Sequence, residues 1–272
     1  MKNSRKATLQ PIGVFDSGLG GLTVVREMRR VLPAESIVYF GDLARLPYGT
    51  KSKEQIQTYS VQNTLFLIKH KVKAVVIACN SSASAAYQFI KSNFNLPIID
   101  VIDPAVEDAV ATTRNGRIGV IATRATVESG AYEKGLIRKK SGIKVFQEPC
   151  PLFVSLVEEG WLTGAVTRDI AKIYLKPILS KKIDTLILGC THYPMLRESI
   201  QAVVGDKIRL IDSISPTVSR LRQTLERKNL INETSRKGEM RLYVSDKPRN
   251  FVRLGEKFLG EKLDHVELVR QK

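Results

Sequence analysis

The chain has 272 residues, 43% hydrophobic and 26% charged, the composition of a folded globular protein with room for one large domain or two medium ones. No apolar run approaches the roughly 18 residues of a membrane helix, and three cysteines do not make a disulfide framework, so a cytoplasmic, reducing setting without a membrane partner is expected. The net charge of +16 attracts nucleic acid non-specifically, but the cations fall in scattered pairs such as Arg29-Arg30, Lys139-Lys140 and Lys181-Lys182. A nucleic-acid partner is therefore not expected.

The basic start, residues 1–9, is followed by no apolar segment of signal-peptide length and reads as a loose tail. Residues 12–15 read as a strand and 16–21 as its loop. Residues 22–32 carry helical apolar spacing that Pro33 ends. A strand at 37–40 opens into a loop containing Asp42, Arg45, Tyr48 and Gly49. Helical patterns at 53–69 and 82–93 flank a buried strand at 74–77, and 97–102 reads as a fourth strand. Strands alternating with helices predict a mostly parallel sheet covered on both faces.

The second half echoes the first. Residues 118–123 (IGVIAT) echo 12–17 (IGVFDS), 144–147 echo 37–40, 186–190 echo 75–79, and 208–212 echo 97–100. Offsets near ~110 residues are too long for a solenoid and suit a duplicated α/β domain. The expected fold is thus α/β: two similar lobes with mostly parallel sheets flanked by helices, a pseudo-twofold duplication with the active site in the cleft between lobes. After Ser213 a helix at 216–228, a strand at 240–244 and a helix at 251–260 have no counterpart. Returning them to the first lobe gives units 1–105 plus 216–272, and 106–215.

The chemistry collects at two matching strand ends. Residues 185–188 (TLIL) deliver Cys190, Thr191 and His192, and residues 74–77 (AVVI) deliver Cys79, Asn80 and Ser81, where open α/β sheets bind ligands. A metal site is one use of such thiols, but neither C-x-x-C spacing nor a carboxylate–histidine cluster is present. A Cys–His nucleophile leaves the second cysteine unexplained. Two buried structural thiols are the usual fate of free cysteine, yet both sit among polar groups. Two-base proton transfer at a carbon uses both, since an inversion without a cofactor removes a proton from one face and delivers one to the other. With a free thiol pKa of roughly 8.5, one thiolate and one thiol coexist near neutral pH after modest perturbation. Asp16 stands as the partner acid for the first thiol or for a substrate ammonium, and His192 for the second. Ser17, Asn80, Ser81, Thr191 and the N–H groups of Gly18 to Gly21 are placed to hold carboxylates.

At residues 15–22 (FDSGLGGL), 41–49 (GDLARLPYG), 78–80 (ACN), 152–160 (LFVSLVEEG) and 188–194 (LGCTHYP) the chain resembles the glutamate branch of the aspartate/glutamate racemase family. The resemblance implies cofactor-free interconversion of L- and D-glutamate, with D-glutamate supplied to bacterial peptidoglycan and a homo-oligomer, a dimer, as the working form. It implies that Cys79 takes the proton from D-glutamate and Cys190 from L-glutamate. It also matches Asp16, Ser17, Tyr48, Gly49, Asn80, Ser81, Thr191 and His192 to substrate-contacting positions and Glu158 to an acid near the second thiol. No metal is expected. Ser81 and Ser82 depart from the family's usual Thr-Ala, and Ser81 lacks the methyl that restricts a threonine rotamer.

Plainer readings stand beside these. Thr23 occupies the last position of a would-be G-x-G-x-x-G, so Gly18 to Gly21 also read as a tight turn. Asp16 and Asp42 read as caps or loop acids, and Tyr48 as loop packing. His70 and His265 read as solvated surface residues, and Cys150 as a structural thiol. The choice of Glu158 over Glu159 rests on the resemblance alone. An aspartate or related amino-acid racemase on the same fold is the alternative activity, and a basic nucleic-acid-binding or regulatory protein the non-enzyme one.

Overall fold

The structure, a computed structural model, describes residues 7–247, 251–263 and 265–270. Strand β1 (Ile12–Asp16) is followed by α1 (Leu22–Val31), β2 (Ile37–Gly41), α2 (Lys53–Lys69), β3 (Ala74–Ile77), α3 (Asn80–Asn93), β4 (Ile98–Asp100) and α4 (Ile102–Thr112). A second series runs through β5 (Arg117–Ala122), α5 (Arg124–Glu128), α6 (Ala131–Lys139), β6 (Lys144–Pro149), α7 (Leu152–Glu158) and α8 (Ala165–Leu179). It continues through β7 (Thr185–Gly189), α9 (Arg197–Val204) and β8 (Arg209–Asp212). Then come α10 (Ile214–Arg227), β9 (Met240–Val244), α11 (Phe251–Leu259) and β10 (Val266–Leu268).

These strands form two sheets, ordered β10-β9-β2-β1-β3-β4 and β6-β5-β7-β8, and every pairing is parallel. The order β2-β1-β3-β4 recurs as β6-β5-β7-β8, so the echo in the sequence is a repeated unit. Ile12 pairs with Ile37 and Ala74 as Ile118 pairs with Val145 and Thr185. Successive side chains leave a strand on opposite faces. Ile12 and Val14 therefore join the core that holds Tyr39 and Val76, while Phe15 joins the other with Val38 and Ile77. With both faces covered, the strands read as unbroken apolar runs. All C-terminal strand ends fall on one edge of each sheet. There β1, β3, β5 and β7 hand over to Ser17, Cys79, Thr123 and Cys190.

Helix limits follow local chemistry. Ser52 caps α2 by accepting from the Gln55 N–H at 3.3 Å, with Glu54 in the first turn. The strand expected over 97–102 is only Ile98–Asp100, because the Asp100 carboxylate accepts from the N–H groups of Ile102 (3.0 Å) and Asp103 (3.1 Å) and starts α4 there. Helix α3 begins at Asn80, two residues before the expected start, directly after Cys79 in an extended conformation. His70 is not a solvated residue. It is half-buried, its ring 4.5 Å from Phe66 and 4.7 Å from Tyr243, with Nδ1 2.9 Å from the Phe66 carbonyl. His265 is exposed. No helix among the described residues is long and apolar enough to cross a membrane.

Of the expected tail, residues 1–6 lie outside the described residues, but Thr8 is tied down. Lys73, just before β3, donates from Nζ to the carbonyls of Thr8 (2.6 Å) and Leu230 (2.7 Å) and pairs with Glu35 at 2.6 Å, both side chains 1% exposed. Glu35 in turn accepts from the Asn232 N–H. Four stretches distant in sequence thus meet at one buried ion pair. Lys73→Met strands the Glu35 carboxylate and is expected to cost about 3–5 kcal/mol. Urea unfolding measures this, and a loss under about 1 kcal/mol would refute the account.

Candidate active site

A cavity between the two lobes brings both predicted thiols together. Ser17 (after β1), Tyr48 and Gly49 (after β2) and Cys79, Asn80 and Ser81 (after β3) line one side. Thr123 (after β5) and Cys190, Thr191 and His192 (after β7) line the other. The volume is about 20 Å3, room for about one water molecule, so an amino acid enters only when the lobes or their loops part.

Each thiol has a different electrostatic partner. The Cys79 thiol donates to Ser17 Oγ at 3.5 Å, and the N–H of Ser82, in the first turn of α3, also faces its sulfur. Helix N-termini favour a thiolate. Here burial outweighs that help, and with the Asp16 carboxylate nearby it pushes the thiol up to about 11. Cys79 therefore holds its proton at neutral pH. Asp16 is fully buried and raised by desolvation, against the lowering influence of His192 and of the Gly18, Gly21 and Ser17 N–H groups. Its carboxylate accepts from the Gly18 N–H at 3.0 Å.

The second thiol meets a cation. Cys190 Sγ lies 3.9 Å from His192 Nδ1, and His192 Nε2 lies 2.6 Å from Glu158 Oε1 at the end of α7. Burial acts to lower the imidazole, but Cys190 and Glu158 together raise it to about 10. Histidine carries its charge through neutral pH. Phe258 of α11 packs edge-on against the ring at 5.4 Å, and Thr191 Oγ1 bridges towards Asp16 Oδ1 at 3.5 Å. Glu159 is exposed: one residue further along a helix turns away, so only Glu158 reaches the imidazole.

Two expectations change. Of the N–H groups in the 18–21 loop, those of Gly18 and Gly21 are turned to Asp16 and are not open to a substrate carboxylate. The glycines serve close packing instead: a Cβ on Gly20 would stand 2.3 Å from Thr191 Oγ1, and one on Gly21 2.7 Å from Asp16 Cβ. Tyr48 lines the cavity, but its hydroxyl donates to Asp42 and accepts from Asn63 Nδ2 at 3.1 Å. Arg45, paired to Asp42 at 2.6 Å, closes that network. Gly49 permits close approach, since a Cβ there would be 2.5 Å from Thr123.

Sequence reasoning missed Thr123, which bonds Ser81 Oγ at 2.9 Å and Thr126 at 3.1 Å. The repeat carried the signal: Thr123 stands in the second lobe where Ser17 stands in the first. Cys150 is buried and free. Among the described residues no three of His, Cys, Asp and Glu group as metal ligands.

Residues 12–221 match the Asp/Glu/Hydantoin racemase family. A glutamate racemase of Syntrophus aciditrophicus is 47% identical over 268 residues, 98% of this chain and 99% of that protein. One from Neisseria meningitidis serogroup A is 48% identical over 261 residues, 96% of each. The crystal structure of glutamate racemase from Francisella tularensis in complex with D-glutamate matches with a TM-score of 0.91 at 43% identity, covering 96% of this chain and 98% of that one. With its doubled sheet, its paired strand-end thiols and these relatives, the chain belongs to the Asp/Glu/Hydantoin racemase family.

Proposed function

We propose that the chain interconverts L- and D-glutamate by two-base proton transfer between Cys79 and Cys190. The observation that carries this is the shared cavity whose two thiols have opposite partners, an acid beside Cys79 and a cation beside Cys190. Starting from L-glutamate, Cys79 is the proton donor and Cys190 the base. Cys190 takes the α-proton on one face, and the Cys79 S–H proton passes to the carbon on the other. That turnover leaves the charge on Cys79, from which the reverse reaction begins, and proton exchange with solvent returns it to Cys190. His192, held by Glu158, faces the negative charge on the Cys190 side, and Asp16 lies within reach of the substrate ammonium. Ser17, Asn80, Ser81 and Thr191, with Thr123 and the backbone at Tyr48 and Gly49, supply donors for the two carboxylates.

Within the same reading the units are residues 1–105 plus 216–272, and 106–215, with their cleft as the active site. The enzyme works in the cytoplasm as a homodimer, and its D-glutamate feeds peptidoglycan synthesis.

In D2O, L-glutamate is expected to yield D-glutamate labelled at the α-carbon from the first turnovers, while residual L-glutamate stays nearly unlabelled. The delivering thiol exchanges with solvent and the abstracting one is a different group. Cys79→Ala and Cys190→Ala are each expected to abolish the change in circular dichroism from either enantiomer, and Cys150→Ala to leave it intact. Unlabelled early product, or activity in either of the first two variants, would sink the mechanism; faster loss of optical activity from aspartate would move the substrate.

The His192 charge gives a second test. Its raised pKa means that the imidazolium persists from neutral pH up to about 10 and is lost above it. Glu158→Gln removes one of the two groups that raise it, so the alkaline limb of the L-glutamate rate profile and the His192 NMR titration should both move to lower pH. An unchanged limb in an active Glu158→Gln protein would show that this charge is not used.

A further inference from the structure

We infer that Tyr132, a residue of the second lobe, is a positioning residue that fixes which end of the Asn80 amide faces the substrate. The inference rests on the reading of the cleft as a glutamate site. Tyr132 is the second residue of α6 and fully buried. Its hydroxyl crosses between lobes and donates to Asn80 Oδ1 at 2.6 Å. Its ring lies on the backbone of Gly189, where a Cβ would stand 2.9 Å from Tyr132 Cε2. One side chain therefore touches the residue just after the first thiol and the residue just before the second.

The direction of the bond decides what Asn80 offers. Burial, with acids nearby, pushes the phenol far above its ordinary range, so it keeps its proton and needs an acceptor. An amide has one acceptor end and one donor end. With Oδ1 taken by Tyr132, the Nδ2 group is turned the other way, and it is buried without a protein partner. Asn80 is 2% exposed and lines the cavity. An unpaired buried N–H pair is costly, and a substrate carboxylate reaching it removes that cost. Were the amide free to turn over, half of its orientations would present an oxygen to the carboxylate and repel it.

The bond also forms only when the lobes are together, because α6 and α3 belong to different lobes. Tyr132 thus couples closure of the cleft to the orientation of a carboxylate donor beside Cys79. That donor binds a group that does not react, so its contribution is the same in ground and transition states and should appear in KM rather than in kcat.

Tyr132→Phe tests this, since it keeps the ring on Gly189 and removes only the hydroxyl. In the full chain, KM for glutamate is expected to rise about tenfold in both directions, with kcat within about threefold of the parent. Equal free energies of the two enantiomers require the fall in kcat/KM to be the same from either side. Asn80→Ala should raise KM at least as much, and the double variant should be no worse than Asn80→Ala alone, because Tyr132 acts through that amide. If Asn80→Ala leaves no measurable rate, calorimetric dissociation constants for D-glutamate close the same cycle. A fall in kcat at unchanged KM, the sign of less folded enzyme, would overturn the inference. So would independent, multiplying losses in the double variant, or an unaffected Tyr132→Phe enzyme. A parent protein that does not racemise glutamate overturns the functional reading and this inference together, whereas a fully active parent and variant overturn this inference alone.

Discussion

Exclusion of water from the cleft floor is the constraint on which the site depends. Asp16 on one lobe faces the His192–Glu158 pair on the other, and Asp16 and His192 are almost wholly buried. Removing such charges from water costs several kcal/mol each unless partners are fixed in place. The fold supplies those partners from one backbone and one side-chain group: the loop after β1 turns the Gly18 N–H onto Asp16, and the last turn of α7 sets the Glu158 carboxylate against the imidazole. Gly20 allows the first lobe to press onto Thr191 and His192 with no side chain between them. A larger residue there would hold the lobes apart and admit water, weakening every interaction across the floor.

The duplicated lobes place their thiols alike but surround them differently. After Cys79 the chain enters α3 at once, so the sulfur sits at the N-terminus of a 14-residue helix. After Cys190 it forms only a four-residue 3-10 turn, Tyr193–Leu196, before α9 begins. Where the helix N-terminus is lacking, a charged imidazole occupies the corresponding space. A symmetric pair of environments would leave the proton shared evenly between the sulfurs. Burial and the Asp16 carboxylate hold the proton on Cys79, while Cys190 stands against the imidazole, so the two sulfurs are not equivalent.

Much of this was legible in the sequence, for a physical reason. Strands buried on both faces appear as continuous apolar runs, and the residues that follow them must stand on the ligand-binding edge, so Asp16, Ser17, Cys79 and Cys190 could be located from pattern alone. The residue-level reading failed where space rather than chemistry decides. Gly20 and Gly21 read as a tight turn offering N–H groups to carboxylates, but their place is close contact with side chains that come from elsewhere in the chain. Tyr132 and Asn80 are 52 positions apart, and no local periodicity predicts their bond. Glu158 and Glu159 differ only in which way a helix turns them. The 266–268 strand, mostly exposed and three residues long, carries too little pattern to be seen. The Asp100 cap was legible in principle, but the apolar run around it hid the change from strand to helix.

Around the cavity the lobes also meet through hydroxyls, glycines and one phenol, beside apolar side chains such as Leu46 and Val154. Ser81 bonds Thr123 and Thr126 across the gap, and Tyr132 reaches Asn80. Hydroxyls both donate and accept, so in the closed cavity they satisfy each other, and with a carboxylate between them they can turn to donate to it. Separation of apolar surfaces would instead expose area at about 25 cal/mol per Å2 with nothing to replace it. Polar mating surfaces of this kind cost less to part than apolar ones, which suits a cavity with space for about one water molecule.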